Sequence, residues 1–387
     1  MFKFTLHNNT RVHFGEDQIA QITSEIPANA RVLVTYGGGS IKSNGVFQQV
    51  SDALKNHQWF EFGGIEPNPQ YDTLIQSLEI IKAEKIDYLL AVGGGSVVDG
   101  TKFIAAAACF EGDDPWDIIA KRHPIDSALP IGVVLTLPAT GSETNPAAVV
   151  TRNGNKLSFY NLLVRPTFAI LDPSVTLTLN DRQIGNGVVD AFVHVTEQYL
   201  TYPVNAKVQD RLAEGVLVTL VEEGPKALAP DSKDDLDVRA NIMWSATVAL
   251  NGHIGAGVPQ DWATHMIGHE LTALYSIDHA RTLAIVLPAL LKHQRVQKQQ
   301  KLLQYAERVW GLTDPMDEAK KIDLAIEKTE HFFRDMGMPT RLSDVDLTAK
   351  DIDSIVAMLE KHGMLKLGEQ QDITLAESRK ILEMALI

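Results

Sequence analysis

The sequence predicts two domains of different class: an α/β half over residues 1–180 and an all-helical half over residues 181–387. Three observations carry this. The chain has 387 residues, more than one core of ordinary size encloses, so two domains are the starting expectation. Through about Leu179, short runs rich in β-branched residues and leucine alternate with helical patterns across turns of Gly, Pro or Asn. Beyond that point the runs stop, and amphipathic helical patterns separated by capping residues follow one another.

The runs "RVLVTY" (31–36), "IDYLLAV" (86–92), "IGVVLTLP" (131–138) and "TFAILD" (167–172) are continuously apolar. Strands of that kind are buried on both faces, which predicts a mostly parallel, doubly wound sheet with helices on each side. In the second half, "NDRQIGNGVVDAFVHVTEQYL" and "DVRANIMWSATVALNGHIG" carry helical periodicity. Neither a tandem repeat nor a long linker intervenes, so the halves are expected to pack tightly, with a cleft that is the default place for a ligand.

Composition narrows the function classes. The net charge of −14 opposes a phosphate backbone, and no Lys/Arg cluster overrides it locally, which argues against a nucleic-acid partner. Cys109 is the only cysteine, so a disulfide framework and a Cys-based zinc site are both excluded, and any metal must use His and carboxylate. The N-terminal stretch "MFKFTLHNNTRVHFG" lacks the apolar core of a signal peptide, and "TLAIVLPALL" (282–291) falls short of a membrane span. A cytoplasmic protein without membrane contact is expected.

In "AVGGGSVVDGTKFIAAAACF", Gly93, Gly94, Gly95 and Ser96 lie directly between a strand and a helix. Glycines there let a backbone approach a phosphate, and the helix N-terminus supplies free N–H groups and partial positive charge. The stretch departs from G-x-G-x-x-G because position 98 is Val98, so alone it is a weak signal, with a tight turn without a ligand as the lesser alternative. Two further turns at strand ends favour a dinucleotide: "YGGGS" (36–40) and "TLPATGSE" (136–143), the latter with the hydroxyls of Thr136, Thr140 and Ser142. After "RVLVTY" no acid follows to accept ribose hydroxyls. Gly37, Gly38, Gly39 and Ser40 offer donors instead, with Lys42 close by, so NADP(H) is expected over NAD(H). Lys42 also reads as an ordinary solvated lysine.

Asp190 and His194 in "VVDAFVHVTEQ" stand one helical turn apart and share a face, with Ile184, Val188, Phe192, Val195 and Tyr199 forming an apolar stripe on another. His265 and His269 repeat the spacing, and two such pairs facing each other make four ligands for a divalent cation. The alternative for each histidine is a satisfied core or surface residue. His279, fourteen residues after His265, would lie about 21 Å further along a straight helix. It joins the same ion only if the chain turns back, and Ser276 or Asp278 is placed to cap a new helix there.

With these residues in view, the chain resembles the iron-containing (group III) alcohol dehydrogenase family, in its NADP-dependent butanol-dehydrogenase-like aldehyde reductase branch. The resemblance runs along essentially the whole chain and rests on "GGIEPNP" (63–69), "AVGGGSVVDGTKFIAAAA" (91–108), "TLPATGSE", "VVDAFVHVTEQY", "GAGVPQDWATHMIGHEL" (255–271) and "DHARTLAIVLPA" (278–289). It implies a Rossmann-like nucleotide-binding domain followed by a helical metal-binding domain, the dehydroquinate-synthase-like fold, usually as a homodimer. It further implies metal ligation by Asp190, His194, His265 and His279, iron in many members and zinc in this branch, with the helix broken near Ser276 to Asp278 and His269 facing the substrate. The pyrophosphate is expected at Gly94, Gly95 and Ser96, with Asp99 opening the helix behind it. Thr136, Thr140, Leu177 and Leu179 are expected along the cofactor, and Asn68 and Lys156 at further contacts.

The activity so implied is hydride transfer between NADPH and a short- to medium-chain aldehyde, with the metal polarising the carbonyl. The rivals are a lyase of dehydroquinate-synthase type, a polyol dehydrogenase, and a binding protein whose metal only staples two helices. An anionic lyase substrate needs a cluster of Lys and Arg, whereas the ligand segments carry only Arg281, amid Trp262, Met266, Ile267 and Leu271.

Overall fold

Six strands form one all-parallel sheet in the computed structural model, which describes residues 1–387: β1 (Arg11–Phe14), β2 (Arg31–Tyr36), β3 (Gln58–Phe62), β4 (Tyr88–Gly94), β5 (Ile131–Leu137) and β8 (Phe168–Leu171), in the order β1-β8-β5-β4-β2-β3. The four apolar runs are the four inner strands, buried on both faces. The edge strands β1 and β3 are partly exposed and correspondingly polar. On one face Val32, Val34, Leu90, Val92, Val134 and Ile170 pack with Ile19, Ile22, Val46 and Val50. Leu33, Leu89, Ala91, Val133 and Ala169, alternating with them, are fully buried on the other. Each fully buried Val, Leu or Ile contributes roughly 1.5–3 kcal/mol.

An antiparallel hairpin, β6 (Ala147–Arg152) and β7 (Asn155–Tyr160), stands apart from this sheet. Asn153 and Gly154, at φ 51° and 73°, close it with the two left-handed residues that a two-residue hairpin turn demands.

Helices of eight or more residues are α1 (Val46–Ala53), α2 (Ser77–Glu84), α3 (Gly95–Ala107), α4 (Asp181–Tyr199), α5 (Lys207–Glu223), α6 (Leu236–Ala249), α7 (Ala263–Tyr275), α8 (His279–His293), α9 (Gln299–Arg308), α10 (Glu318–Asp335), α11 (Ala349–Lys361) and α12 (Leu375–Met384). α4 starts with a capping box between Asn180 and Gln183, and α5, α6 and α8 pack against it. From Gly187 to Tyr199 every residue of α4 is buried, so the Asp190/His194 face looks into the interior and not out from it, as an amphipathic reading suggests. The second half departs from all-helical at one place, a short antiparallel ladder of Lys366–Leu367 with Ile373–Thr374.

The chain divides into His7–Leu179 and a second unit that joins Met1–Leu6 to Asn180–Ile387. The first six residues therefore depart from the expected 1–180 division. Phe2 N–H donates to Gly257 O at 2.8 Å and the Met1 amino group to Val204 O, which ties this segment to the helical unit. No helix is long and apolar enough to cross a membrane.

Candidate nucleotide turns and metal centre

β2, β4 and β5 are adjacent and parallel, so the turns after them, at Gly37 to Ser40, Gly94 to Ser96 and Pro138 to Ser142, leave the same sheet edge side by side. α3 begins at Gly95 with Gly94 as its cap, which puts helix N–H groups at that edge. A Cβ on Gly95 would lie 2.6 Å from Thr140 Oγ1, and one on Gly93 2.6 Å from Val97. Glycine is thus required here by close approach of the turns, independently of any ligand. Asn68, in the turn after β3 and left-handed at φ 56°, donates its N–H to Ser96 Oγ at 3.4 Å.

Thr136 ends β5. Leu177 and Leu179 sit half-buried on the segment after β8, which Asn44 Nδ2 links to the turn after β2 through Thr178 Oγ1 at 3.3 Å. Lys156 comes from the hairpin, paired in register with Thr151, whose N–H donates to Pro69 O at 2.8 Å.

Two expectations change. Asp99 lies half-buried within α3, and its two oxygens accept from Ser142 Oγ at 2.5 Å and Val149 N–H at 2.9 Å. Beside it lies Lys102, fully buried, with Nζ donating to Ser142 Oγ and Ala147 O, each at 2.7 Å. The helix opens at Gly95, and Asp99, one turn further in, ties α3 to the loops after β5. Burial pushes its carboxyl up, with the Lys102 charge opposing, while burial pushes Lys102 down to about 8. The second change concerns Lys42, which donates to Glu61 Oε2 at 2.7 Å and lies 4.9 Å over the Tyr36 ring. An acid does stand near that turn, supplied by the neighbouring strand β3.

In the helical unit, α7 ends where Ser276 adopts φ 56°, and α8 starts at His279 behind Asp278. The break lies where the His279 reading needs it. α7 and α8 meet at Gly268, where a Cβ would come within 2.8 Å of Thr282 Oγ1, and this approach brings the His265 and His279 rings to 5.2 Å between centroids. One donor atom from each of Asp190, His265 and His279 lies within 4.8 Å of the others.

His194 stands beside this group, outside the set of mutually close donors but with its Nε2 3.1 Å from His265 Nε2. Two ligands about 2.0–2.1 Å from a tetrahedral ion stand about 3.3 Å apart. His194 Nδ1–H donates to the Asp190 backbone carbonyl at 2.8 Å, leaving Nε2 with a lone pair. Burial pushes His194 down, keeping the neutral ring that ligation needs. Asp190 Oδ1 is buried without a hydrogen-bond partner, an orphaned acceptor that a cation satisfies.

His269, one turn beyond His265, has its ring 5.0 Å from His279 and lies outside the group of Asp190, His265 and His279. The helical spacing of His265 and His269 alone favoured them as a ligand pair, whereas the structure gathers His265 with His279. Trp262, left-handed at φ 62° before α7, walls the cluster with its ring 5.3 Å from His265.

Sequence reasoning missed Glu197. It is buried, its Oε1 accepts the Thr264 N–H at 2.7 Å, and its Oε2 accepts from His265 Nδ1. Burial, then the Asp261 carboxylate, pushes its carboxyl up to about 8, against the Thr264 N–H. Its signal was present, since Asp190, His194 and Glu197 stand at i, i+4 and i+7 and share one helix face.

Comparison with known proteins follows the same division. Residues 9–173 match the model "Iron-containing alcohol dehydrogenase" and residues 185–386 "Fe-containing alcohol dehydrogenase family, C-terminal". The chain is 58% identical to the NADPH-dependent aldehyde reductase YqhD of Escherichia coli over 100% of both chains. It is 42% identical to NADP-dependent alcohol dehydrogenase 3 of Entamoeba histolytica over 93% of this chain and 94% of that one. The crystal structure of E. coli YqhD superposes with a TM-score of 0.97 at 57% identity, covering 99% of both chains. NADH-dependent butanol dehydrogenase A of Thermotoga maritima gives a TM-score of 0.94 at 37% identity, over 100% of this chain and 99% of that one. With both family models matched and relatives of this identity along its whole length, the chain belongs to the iron-containing alcohol dehydrogenase family.

Proposed function

We propose that the protein is an NADP(H)-linked, metal-dependent alcohol dehydrogenase that works as an aldehyde reductase on short- to medium-chain aldehydes. The observation that carries this reading is the convergence of Asp190, His265 and half-buried His279, with His194 Nε2 3.1 Å from His265 Nε2 and an orphaned carboxylate oxygen on Asp190. These are the residues proposed to hold one divalent cation, Zn2+ or Fe2+, a donor set that serves both. A cation held there supplies Lewis-acid polarisation of a carbonyl oxygen, and the nicotinamide of NADPH supplies the hydride.

The rest is work for side chains and backbone. Asp190 O holds the proton of His194 on Nδ1, so that Nε2 faces inward. Trp262 gives the centre an apolar wall, which strengthens electrostatic interactions and suits an uncharged aldehyde. His269, at the margin of the donor group, is proposed to face the substrate and pass a proton to the nascent alcohol. In the other unit, the turns after β2 and β4 are proposed to receive NADP(H): Gly94, Gly95 and Ser96 at the pyrophosphate, and Gly37 to Ser40 at the adenosine phosphate. YqhD and the Entamoeba relative are named for NADPH or NADP, which supports that choice.

A lyase acting on an anionic substrate fits less well. Asp278 accepts from Arg182 at 2.7 Å and lies 3.7 Å from Arg281, whose guanidinium also donates to Gly337 O. Arg182 is therefore matched to a protein acceptor and Arg281 in part, its Nε being without a hydrogen-bond partner, so the site offers one partly committed cation and not a cluster. A cytoplasmic homodimer completes the reading, to be checked by light scattering and cell fractionation.

The deciding experiment is elemental analysis of the purified protein, coupled to NADPH and NADH oxidation rates with butanal before and after chelation. One equivalent of zinc or iron, turnover lost on chelation and restored by the metal, and preference for NADPH are expected. Chelation-insensitive turnover without bound metal would sink the proposal.

A further inference from the structure

We infer that Glu197 is a positioning residue for the metal centre: it fixes the proton of His265 on Nδ1 and supplies the second carboxylate beside the ligands. The inference rests on the proposal that this cluster holds a metal. Its basis is that both Glu197 oxygens are committed in a specific way. Oε1 accepts the Thr264 N–H at 2.7 Å and Oε2 faces His265 Nδ1, while the Glu197 carbonyl accepts the Asp261 N–H at 2.8 Å. Residues 264 and 265 form the first turn of α7, where N–H groups lack helical acceptors and favour a carboxylate. Glu197 thus aims α7 as well as the ring.

The tautomer follows. His194 Nε2 and His265 Nε2 face each other at 3.1 Å, and ligation requires lone pairs on both. Asp190 O settles the matter for His194, and Glu197 does so for His265. A carboxylate accepting from Nδ1–H also raises the basicity of Nε2. Glu197 is the second acid beside the ligands, and the other one nearby, Asp261, lies 2.8 Å from buried Lys298, which it shares with Glu369.

Glu197→Gln separates this role from simple packing. The side chain keeps its shape but has one acceptor oxygen and one NH2 for two donors. The Thr264 N–H cannot change, so the NH2 turns toward His265 Nδ1, which then accepts and leaves the proton on Nε2. Zinc affinity should be measured by competition with a chromogenic chelator for wild type, Glu197→Gln and Glu197→Asp, together with melting of the metal-free forms and NADPH binding. The expected result is zinc binding about 10–100-fold weaker in Glu197→Gln, partial recovery in Glu197→Asp, and little change in metal-free melting or NADPH affinity.

Equal zinc affinity in wild type and Glu197→Gln would overturn the inference while leaving the metal proposal standing. Failure of wild type to bind zinc or iron would remove both. If the variants do not fold, long-range 15N–1H spectra of the zinc-loaded wild type decide: His265 protonated at Nδ1 supports the assignment and protonated at Nε2 refutes it.

Discussion

The turns of the α/β unit and the donor cluster of the helical unit are built by opposite means. The first is made of main chain and missing side chains: three glycine-bearing turns brought to one sheet edge by the adjacency of β2, β4 and β5, with Gly95 required because Thr140 leaves no room for a Cβ. The second is made of side-chain atoms on buried helices, with the His194 and His265 rings each oriented by a named hydrogen bond. The contrast teaches where each is vulnerable. A backbone site tolerates changed side chains around it and fails when atoms are added. A side-chain site fails when one functional atom is exchanged, even without loss of volume.

The largest effect should come from Asp190→Asn. It keeps the size of the side chain and removes the charge of the orphaned oxygen. A cation contributes several kcal/mol of charge stabilisation to a transition state, so kcat with butanal is expected to fall by at least about a thousandfold. Stoichiometric metal should be lost while NADPH binding, measured by fluorescence, stays near wild type. Loss of NADPH affinity of similar size would break the division between the two sites.

Next comes a stability effect in the α/β unit, where the backbone site depends on a buried charge after all. Lys102→Met leaves Asp99 with its hydrogen bonds from Ser142 and Val149 but without its cation, a change expected to cost about 3 kcal/mol in urea unfolding. Lys102 also gives a pH signature. Its folded value is near 8 against an ordinary 10.5, so between those values the unfolded chain holds more protons and stability from this residue rises with pH. Below the folded value that contribution is gone. Lys102→Met should flatten the rise, and an unchanged pH profile would count against the assignment.

What was legible in the sequence follows the same contrast. The inner strands were readable because burial on both faces leaves a continuous apolar run, whereas β1 and β3 are half-exposed edges whose "RVHF" and "QWFEF" carry a mixed signal. Hairpin β6–β7 announced itself in Asn153-Gly154, a turn signal that the helix-and-strand alternation around it overshadowed. At the metal centre, spacing along one helix paired His265 with His269, because periodicity cannot see a chain reversal. The left-handed Ser276 that brings in His279 is a single-residue feature. Glu197 was in register with Asp190 and His194, but its partner lies on another helix. Asp99 was placed at the opening of its helix, whereas its bonds to Ser142 and Val149 come from other elements that spacing along the helix does not see.

A smaller effect tests the close approach itself. Gly95→Ala forces Thr140 to give way by several tenths of an ångström, an overpacking cost of about 1–2 kcal/mol. If Gly95 N–H also meets a phosphate, KM for NADPH rises about tenfold while metal content is unchanged. A stability loss without any change in KM would make Gly95 a packing glycine only.

The smallest effect concerns the cofactor phosphate, and it asks whether the pairing of Lys42 with Glu61 helps or hinders. The pair is partly exposed, 46% and 37%, and such pairs are weak and screened by salt. Lys42 rests on the Tyr36 and Phe47 rings, which hold its ammonium near the Gly37 to Ser40 turn, while Tyr36 Oη also donates to Glu61 at 2.9 Å. If a 2′-phosphate competes with Glu61 for this cation, Lys42→Ala raises KM for NADPH about two- to fivefold and leaves KM for NADH alone. Glu61→Gln removes the competitor and should lower KM for NADPH by a similar factor, with both effects fading at high salt. Equal shifts for the two cofactors would mean that Lys42 shapes the turn without reading the phosphate, and the backbone donors of residues 37–40 would then carry the discrimination alone.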